Sequence, residues 1–140
     1  LESLHVRMAR HCENGQAVAE YLAAHPKVER VVYCGLPGDP YHALAQKYLP
    51  NGSCGVVSFG VKGGRAAAET FMKHLKLGAI ATHVADARTC CLHPASSTHR
   101  QMNDQELIAA GVSADLVRLS VGLESKEDLI ADIDQALAAL

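Results

Sequence analysis

The sequence predicts one α/β domain in which helices pack on a sheet. Short apolar runs closed by glycine turns alternate with segments whose apolar residues recur every three or four positions. The 140 residues, 49% of them apolar, are enough for one core and short for two. The alternation by itself leans towards a parallel sheet. No internal repeat, low-complexity stretch or second domain boundary interrupts it.

From Leu1 to about Ala24, the residues Met8, Cys12, Gly15, Ala19 and Leu22 step by four and three, the spacing of one helix face, and His25-Pro26 ends the pattern. A helix that long reads as a scaffold over residues 1–25 that spans the domain or joins it to another. Val28 to Cys34, rich in valine and closed by Gly35, reads as a buried strand. Asp39 then reads as a cap and Pro40 as the first residue of a helix, with Tyr41, Leu44, Ala45 and Tyr48 as its stripe and Pro50 as its end.

Cys54 to Val61 is a second strand between glycine turns. Ala68, Phe71, Met72 and Leu75 mark the next helix, with Lys73 and Lys76 in its last turn and Gly78 just past its end. Ile80 to Leu92 is strand-like but broken near Asp86, which gives one or two short strands, and His93 to Asn103 is an ordered polar loop. Asn103 with Glu106 forms a capping pair for a short helix closed by Gly111. Asp115 to Gly122 is the last strand. Ser125 with Asp128 opens the last helix, along which Leu129, Ile133, Ala136, Leu137 and Leu140 share a face.

Thirteen Lys and Arg against 15 Asp and Glu leave a net charge of −2 with no basic cluster, which argues against nucleic acid and anionic membranes as partners. No apolar run reaches the roughly 20 residues of a spanning helix, and no signal core follows a basic start, so a soluble, cytoplasmic protein is expected. The five cysteines contain no Cys-x-x-Cys, and a bridge between Cys90 and Cys91 would be strained, so reduced thiols are expected. The chain opens at Leu1 directly in a helical pattern, as a piece of a longer protein would.

Arg118 interrupts the apolar strand Val117-Arg118-Leu119-Ser120-Val121. A planar guanidinium there could grip a carboxylate through two parallel hydrogen bonds; the alternatives are a structural ion pair or an exposed strand face. Thr89 offers a hydroxyl and a backbone N–H that could share such a carboxylate, although a threonine in a strand is more often only a strand former. His93 and His99 near Cys90 and Cys91 invite a metal reading, but adjacent cysteines rarely splay to one tetrahedral ion, and a hydrogen-bonded loop is the better account. No cysteine carries a nucleophile signature. Gly60-Val61-Lys62-Gly63-Gly64-Arg65 lacks the spacing of a phosphate loop and reads as a strand-to-helix turn.

The order of these motifs resembles the C-terminal part of the Cys/Met-metabolism family of pyridoxal-phosphate enzymes. The resemblance is carried by Arg7-Met8-Ala9-Arg10-His11-Cys12-Glu13-Asn14, by Phe59-Gly60-Val61-Lys62-Gly63-Gly64, by Ala85-Asp86-Ala87-Arg88-Thr89, by His93-Pro94-Ala95-Ser96-Ser97-Thr98-His99-Arg100-Gln101 and by Arg118-Leu119-Ser120-Val121-Gly122-Leu123-Glu124, nearly end to end. Ser97-Thr98-His99-Arg100-Gln101 and Ala109-Ala110-Gly111-Val112 look most like the O-acetylhomoserine sulfhydrylase branch; lyases of the family usually carry methionine where Ser97 stands.

The resemblance implies a two-layer small domain of the fold-type-I enzymes, with a mixed or largely antiparallel sheet, in place of the parallel one. It implies that Arg118 binds the α-carboxylate of an amino-acid substrate with Thr89 assisting, and that the full-length enzyme is a homo-oligomer. The implied reaction makes homocysteine from O-acetylhomoserine and sulfide. The family's cofactor lysine lies in a Ser-x-Thr-Lys type motif, and none of Lys27, Lys47, Lys62, Lys73, Lys76 or Lys126 stands in one. The implied cofactor, pyridoxal phosphate, should therefore be held by an N-terminal cofactor domain absent from this chain, and the isolated chain should be inactive. The alternatives are the same domain of a cystathionine synthase or lyase or of a methionine γ-lyase, or a stand-alone module for small carboxylates.

Overall fold

The computed structural model describes all 140 residues. Its longest element, α1 (Leu4–Ala24), leads into strand β1 (Val28–Val32), short helix α2 (His42–Tyr48) and strand β2 (Val56–Val61). Helix α3 (Gly64–His74), the two-residue β3 (Ala79–Ile80) and β4 (Cys90–Leu92) follow. Helix α4 (Asp104–Ala109), strand β5 (Leu116–Ser120) and helix α5 (Lys126–Ala138) complete the chain. The strands form one sheet in the order β1-β2-β5-β4-β3. Every pairing is antiparallel except β3 with β4.

The mixed sheet is the one that the family resemblance implies, and it corrects the lean from alternation alone. The reason lies in α2. A parallel crossover needs its helix packed on the sheet, yet α2 buries only Ala45 and leaves Tyr41, Leu44 and Tyr48 more than half exposed. β1 and β2 are thus an antiparallel pair with a helical excursion between them. The proposed cap also moves. The Asp39 carboxylate accepts from the Tyr41 amide (2.9 Å) and the Tyr33 amide (3.2 Å), which makes it the pivot of a turn, and the helix begins two residues after Pro40. The same bond ends β1 at Val32 rather than Cys34 and turns Tyr33 inward, where its hydroxyl donates to the Cys54 carbonyl (2.9 Å).

Helices α1, α3 and α5 cover one face of the sheet. From the strands, Val57, Phe59, Val61, Val117, Leu119 and Val121 meet Val18, Leu22, Phe71, Ile133 and Leu137, all buried. Each such side chain contributes roughly 1.5–3 kcal/mol of burial. Phe59 and Phe71 meet edge to face with centroids 5.5 Å apart, a geometry that adds to that burial.

The buried face of α1 differs from the predicted stripe: His11, Asn14 and Val18 are buried with Gly15, Ala19 and Leu22, while Met8 and Cys12 sit at its margin. The helix turns polar residues inward because they hold the chain leaving β5. His11 Nδ1 donates to the Val121 carbonyl (2.7 Å), and Asn14 Nδ2 donates to the carbonyls of Gly122 (3.0 Å) and Glu124 (2.8 Å). Gly15 permits the close approach, since a Cβ there would lie 2.7 Å from the Cys54 carbonyl oxygen.

Two caps follow the sequence. Asn103 and Glu106 form a reciprocal capping box on α4, and Ser125 Oγ accepts from the Asp128 amide on α5. Gly78 does not close α3, which stops at His74; the backbone amides beyond it are instead collected by Asp132 of α5.

Candidate functional site

The sheet face opposite the three helices carries Val32, Ser58, Arg118 and Leu92 as one cross-strand row. Arg118 falls there because Val117 and Leu119 take the core positions on either side of it, and strand alternation puts it on the other face. Residues 81–88, between β3 and β4, cross beside it. Arg118 Nη2 donates to the Thr82 carbonyl (3.0 Å), and Ser120 Oγ accepts from the Ala85 amide (2.9 Å).

Three buried side-chain atoms have no hydrogen-bond partner: His11 Nε2, Asn14 Oδ1 and Arg118 Nε. Only the last belongs to a permanently charged group. Arg30 on β1 meets Asp115 through two bonds (2.6 and 3.1 Å), and Arg65 meets Asp104 (2.6 Å). Arg118 meets no carboxylate of this chain. Within this chain, therefore, Arg118 forms no ion pair. Arg118 is thus held by one carbonyl, and its Nε makes no hydrogen bond within the chain.

Thr89 is placed differently. It lies one residue before β4, three residues from the cross-strand partner of Arg118, and is buried. Both of its donors are taken by a carboxylate within the chain: its amide donates to Glu124 Oε1 (2.7 Å) and its hydroxyl to Glu124 Oε2 (2.9 Å). The Thr89 hydroxyl also accepts from the Gly122 amide (2.8 Å). At Gly122 a Cβ would lie 2.5 Å from the Thr89 nitrogen and 2.6 Å from the Ala87 oxygen, so the knot closes only around glycine. Glu124 is the residue that sequence reasoning quoted without a role.

The knot ties β4, the exit of β5 and the first half of α1 together, and its worth is measurable. Thr89→Val removes a hydroxyl that serves two bonds and is expected to cost about 2 kcal/mol in urea unfolding. An unchanged midpoint would show that the knot contributes nothing.

The polar loop after β4 is also internally satisfied. His93 is buried, its Nδ1 bonded to Ser96 Oγ (2.7 Å) and its Nε2 to the Ala114 carbonyl (2.8 Å). Ser97 donates to the His93 carbonyl (2.6 Å). The structure thus assembles no group of three His, Cys, Asp or Glu side chains that could hold a metal ion. Burial pushes the Cys91 thiol well above its usual range. The largest cleft, about 450 Å³, is lined by β1 and Leu36–Tyr41 and lies two strands away from Arg118. Arg118 does not line that cleft, and its Nε is buried.

The profile of one family, described as Cys/Met metabolism PLP-dependent enzyme, matches residues 1–138. The chain belongs to that family. Among relatives of this Cys/Met metabolism domain, the "Homocysteine synthase" of Schizosaccharomyces pombe is 48% identical over 137 residues, which are 98% of this chain and 32% of that protein. The "L-methionine gamma-lyase" of Fusobacterium nucleatum subsp. polymorphum is 44% identical over 98% of this chain and 34% of its own length. The crystal structure of a Campylobacter jejuni protein described as an O-acetylhomoserine (thiol)-lyase superposes with a TM-score of 0.91 at 38% identity. It is covered to 32% by 98% of this chain, and it carries a pyridoxyl-lysine phosphate. The chain thus spans about a third of the length of the relatives it matches.

The family uses pyridoxal phosphate, and the lysines of this chain do not fit its covalent attachment. Lys27 Nζ caps α5 through the carbonyls of Leu137 (2.9 Å), Ala138 (3.2 Å) and Leu140 (3.1 Å). Lys126 meets Glu13, Lys47 lies over the Tyr48 ring, and Lys62, Lys73 and Lys76 are exposed. None is a buried amine facing Arg118. No helix is long and apolar enough to cross a membrane.

Proposed function

We propose that this chain is the C-terminal, substrate-binding domain of a PLP-dependent O-acetylhomoserine sulfhydrylase, residues 1–140 forming that single domain. In this reading, Arg118 binds the α-carboxylate of the amino-acid substrate. The observation that carries it is an arginine set into the sheet, fixed by one carbonyl and unpaired with any acid of the chain. The length of the relatives supports it, since they are about three times as long and have room for a separate cofactor domain. Thr89 serves by holding β4 and the β5 exit in register, since its donors are committed to Glu124.

Pyridoxal phosphate, held by the remainder of the protein, supplies the electron sink for bond-breaking at the substrate Cα. This chain's part is orientation. Two charge-assisted bonds from a planar fork fix the carboxylate plane and with it the direction of the Cα–H bond, which converts binding into rate. Acetate leaves the γ-carbon and sulfide adds, giving homocysteine. Family lyases need the same carboxylate grip, and 44% identity to a methionine γ-lyase keeps that branch as the second reading. With sulfide present, formation of homocysteine rather than a keto acid decides between them.

The cofactor part of the reading is tested on the purified chain. Pyridoxal phosphate is added, borohydride is used to fix any imine, and the intact mass is measured. No one-to-one adduct is expected. A stoichiometric adduct on a single lysine would place the cofactor in this chain and overturn the domain assignment.

A further inference from the structure

We infer that Ser120 is a positioning residue for Arg118, acting through the loop of residues 81–88. The inference rests on the reading of Arg118 as the carboxylate-binding group.

Ser120 and Arg118 lie two residues apart on β5 and so share the sheet face opposite the helices. The Ser120 side chain is 2% exposed, out of reach of any substrate, and its Oγ accepts from the Ala85 amide at 2.9 Å. Ala85 has φ 57°, the one non-glycine residue of the chain in the left-handed region. An L-residue held there costs energy, and it persists where its surroundings fix it. Three residues earlier in the loop, the Thr82 carbonyl accepts from Arg118 Nη2 at 3.0 Å, the one hydrogen bond that this guanidinium makes.

The ends of the loop are tied by backbone bonds, Ala81 to Cys91 (3.2 Å) and Leu123 to Ala87 (2.9 Å). Between those ties, two side chains of the sheet bond to the loop, Arg118 at Thr82 and Ser120 at Ala85, and of the two Ser120 holds the strained residue. A chain of contacts therefore runs from the Ser120 hydroxyl to Ala85, along the backbone to Thr82, and on to the guanidinium. The two ends of that chain are neighbours on one strand. The arginine's orientation is set by a loop, and the loop is set by the arginine's own strand.

The consequence is a preorganised fork. Without the Ser120 hydroxyl, the loop centre is released and Arg118 must be ordered by the substrate, a cost that appears as weaker binding rather than slower chemistry. In the full-length enzyme, Ser120→Ala is expected to raise KM for the amino-acid substrate, and Ki for a non-reacting competitor such as norleucine, by roughly five- to tenfold. The change in kcat should stay below about twofold. Ser120→Thr, which keeps the hydroxyl, should recover the wild-type constants. Amide exchange at Ala85 should be faster in Ser120→Ala alone. Ser120→Cys, which fills the same volume with a poor acceptor, replaces the alanine variant if that fails to fold.

Arg118→Ala, measured alongside, separates the two ideas. If Arg118→Ala raises KM and Ser120→Ala does not, the positioning role is overturned and the arginine reading stands. If Arg118→Ala leaves KM and Ki unchanged, the arginine reading fails and the inference with it. Equal losses in Ser120→Ala and Ser120→Thr would also overturn it, because the hydroxyl would then not be the cause.

Discussion

In the full-length enzyme, Arg118→Ala is expected to lower kcat/KM for the amino-acid substrate by on the order of 100-fold, mainly through a higher KM. The size follows from what is lost. Hydrogen bonds to charged groups are worth about 1.5–3 kcal/mol, and the guanidinium offers two in one plane. No other cation of this chain stands in the row Val32, Ser58, Arg118, Leu92. Arg118→Lys should recover little, because an ammonium keeps the charge but loses the paired donors and cannot use the Thr82 carbonyl in the same geometry. Steady-state kinetics on the three proteins checks this. Constants for Arg118→Ala within twofold of wild type would remove the arginine from the site.

The same residue shows what the sequence discloses and what it withholds. A charged residue between Val117 and Leu119 is legible as an oddity, because strand alternation is a local property of the chain. Whether it ends in an ion pair is not, since the acids that could meet it lie anywhere in the other 139 positions and only the fold brings them near or keeps them away. Thr89 illustrates the other side: its type and strand position are legible, but its donors are spent on Glu124, 35 residues on. Ala85 is less visible still. Nothing about an alanine announces a left-handed backbone, which arises here from loop closure against Ser120.

The elements themselves were mostly legible where local chemistry ends them. Asn103 with Glu106 and Ser125 with Asp128 both cap helices where the spacing places them. The errors fall where a distant group takes over a local role. Asp39 reads as a helix cap but closes a turn on Tyr33, and Tyr41, Leu44 and Tyr48 read as a core stripe but lie exposed. Periodicity says that a helix has an apolar face. It cannot say that the sheet is on that side.

The end of α3 carries the second large effect, and it needs no substrate to measure. Gly78 reads as the stop, but the amides of Lys76, Leu77 and Gly78 all donate to the Asp132 carboxylate, at 2.8, 2.9 and 3.0 Å, and Gln135 Nε2 adds a fourth bond at 3.0 Å. One side chain of α5 thereby clamps the turn from α3 into β3. Burial works to raise the Asp132 carboxyl, yet the bonds from Gly78, Lys76, Leu77 and Gln135 together outweigh it and hold the group below the usual carboxylate range. Because the folded state binds this proton less readily than the unfolded one, the clamp is fully present above the unfolded value of about 4 and is lost as the pH falls through the folded value. Asp132→Asn turns one acceptor oxygen into a donor facing a backbone N–H. It is expected to destabilise the domain by about 3 kcal/mol at pH 7, a fall in Tm on the order of 10 °C. The gap between wild type and variant should then narrow below about pH 4, as the wild-type carboxylate is protonated and loses the same bonds. Urea unfolding of the two proteins between neutral and acid pH reads both effects. Curves that remain parallel throughout would mean that Asp132 holds the turn by shape alone, with no contribution from its charge.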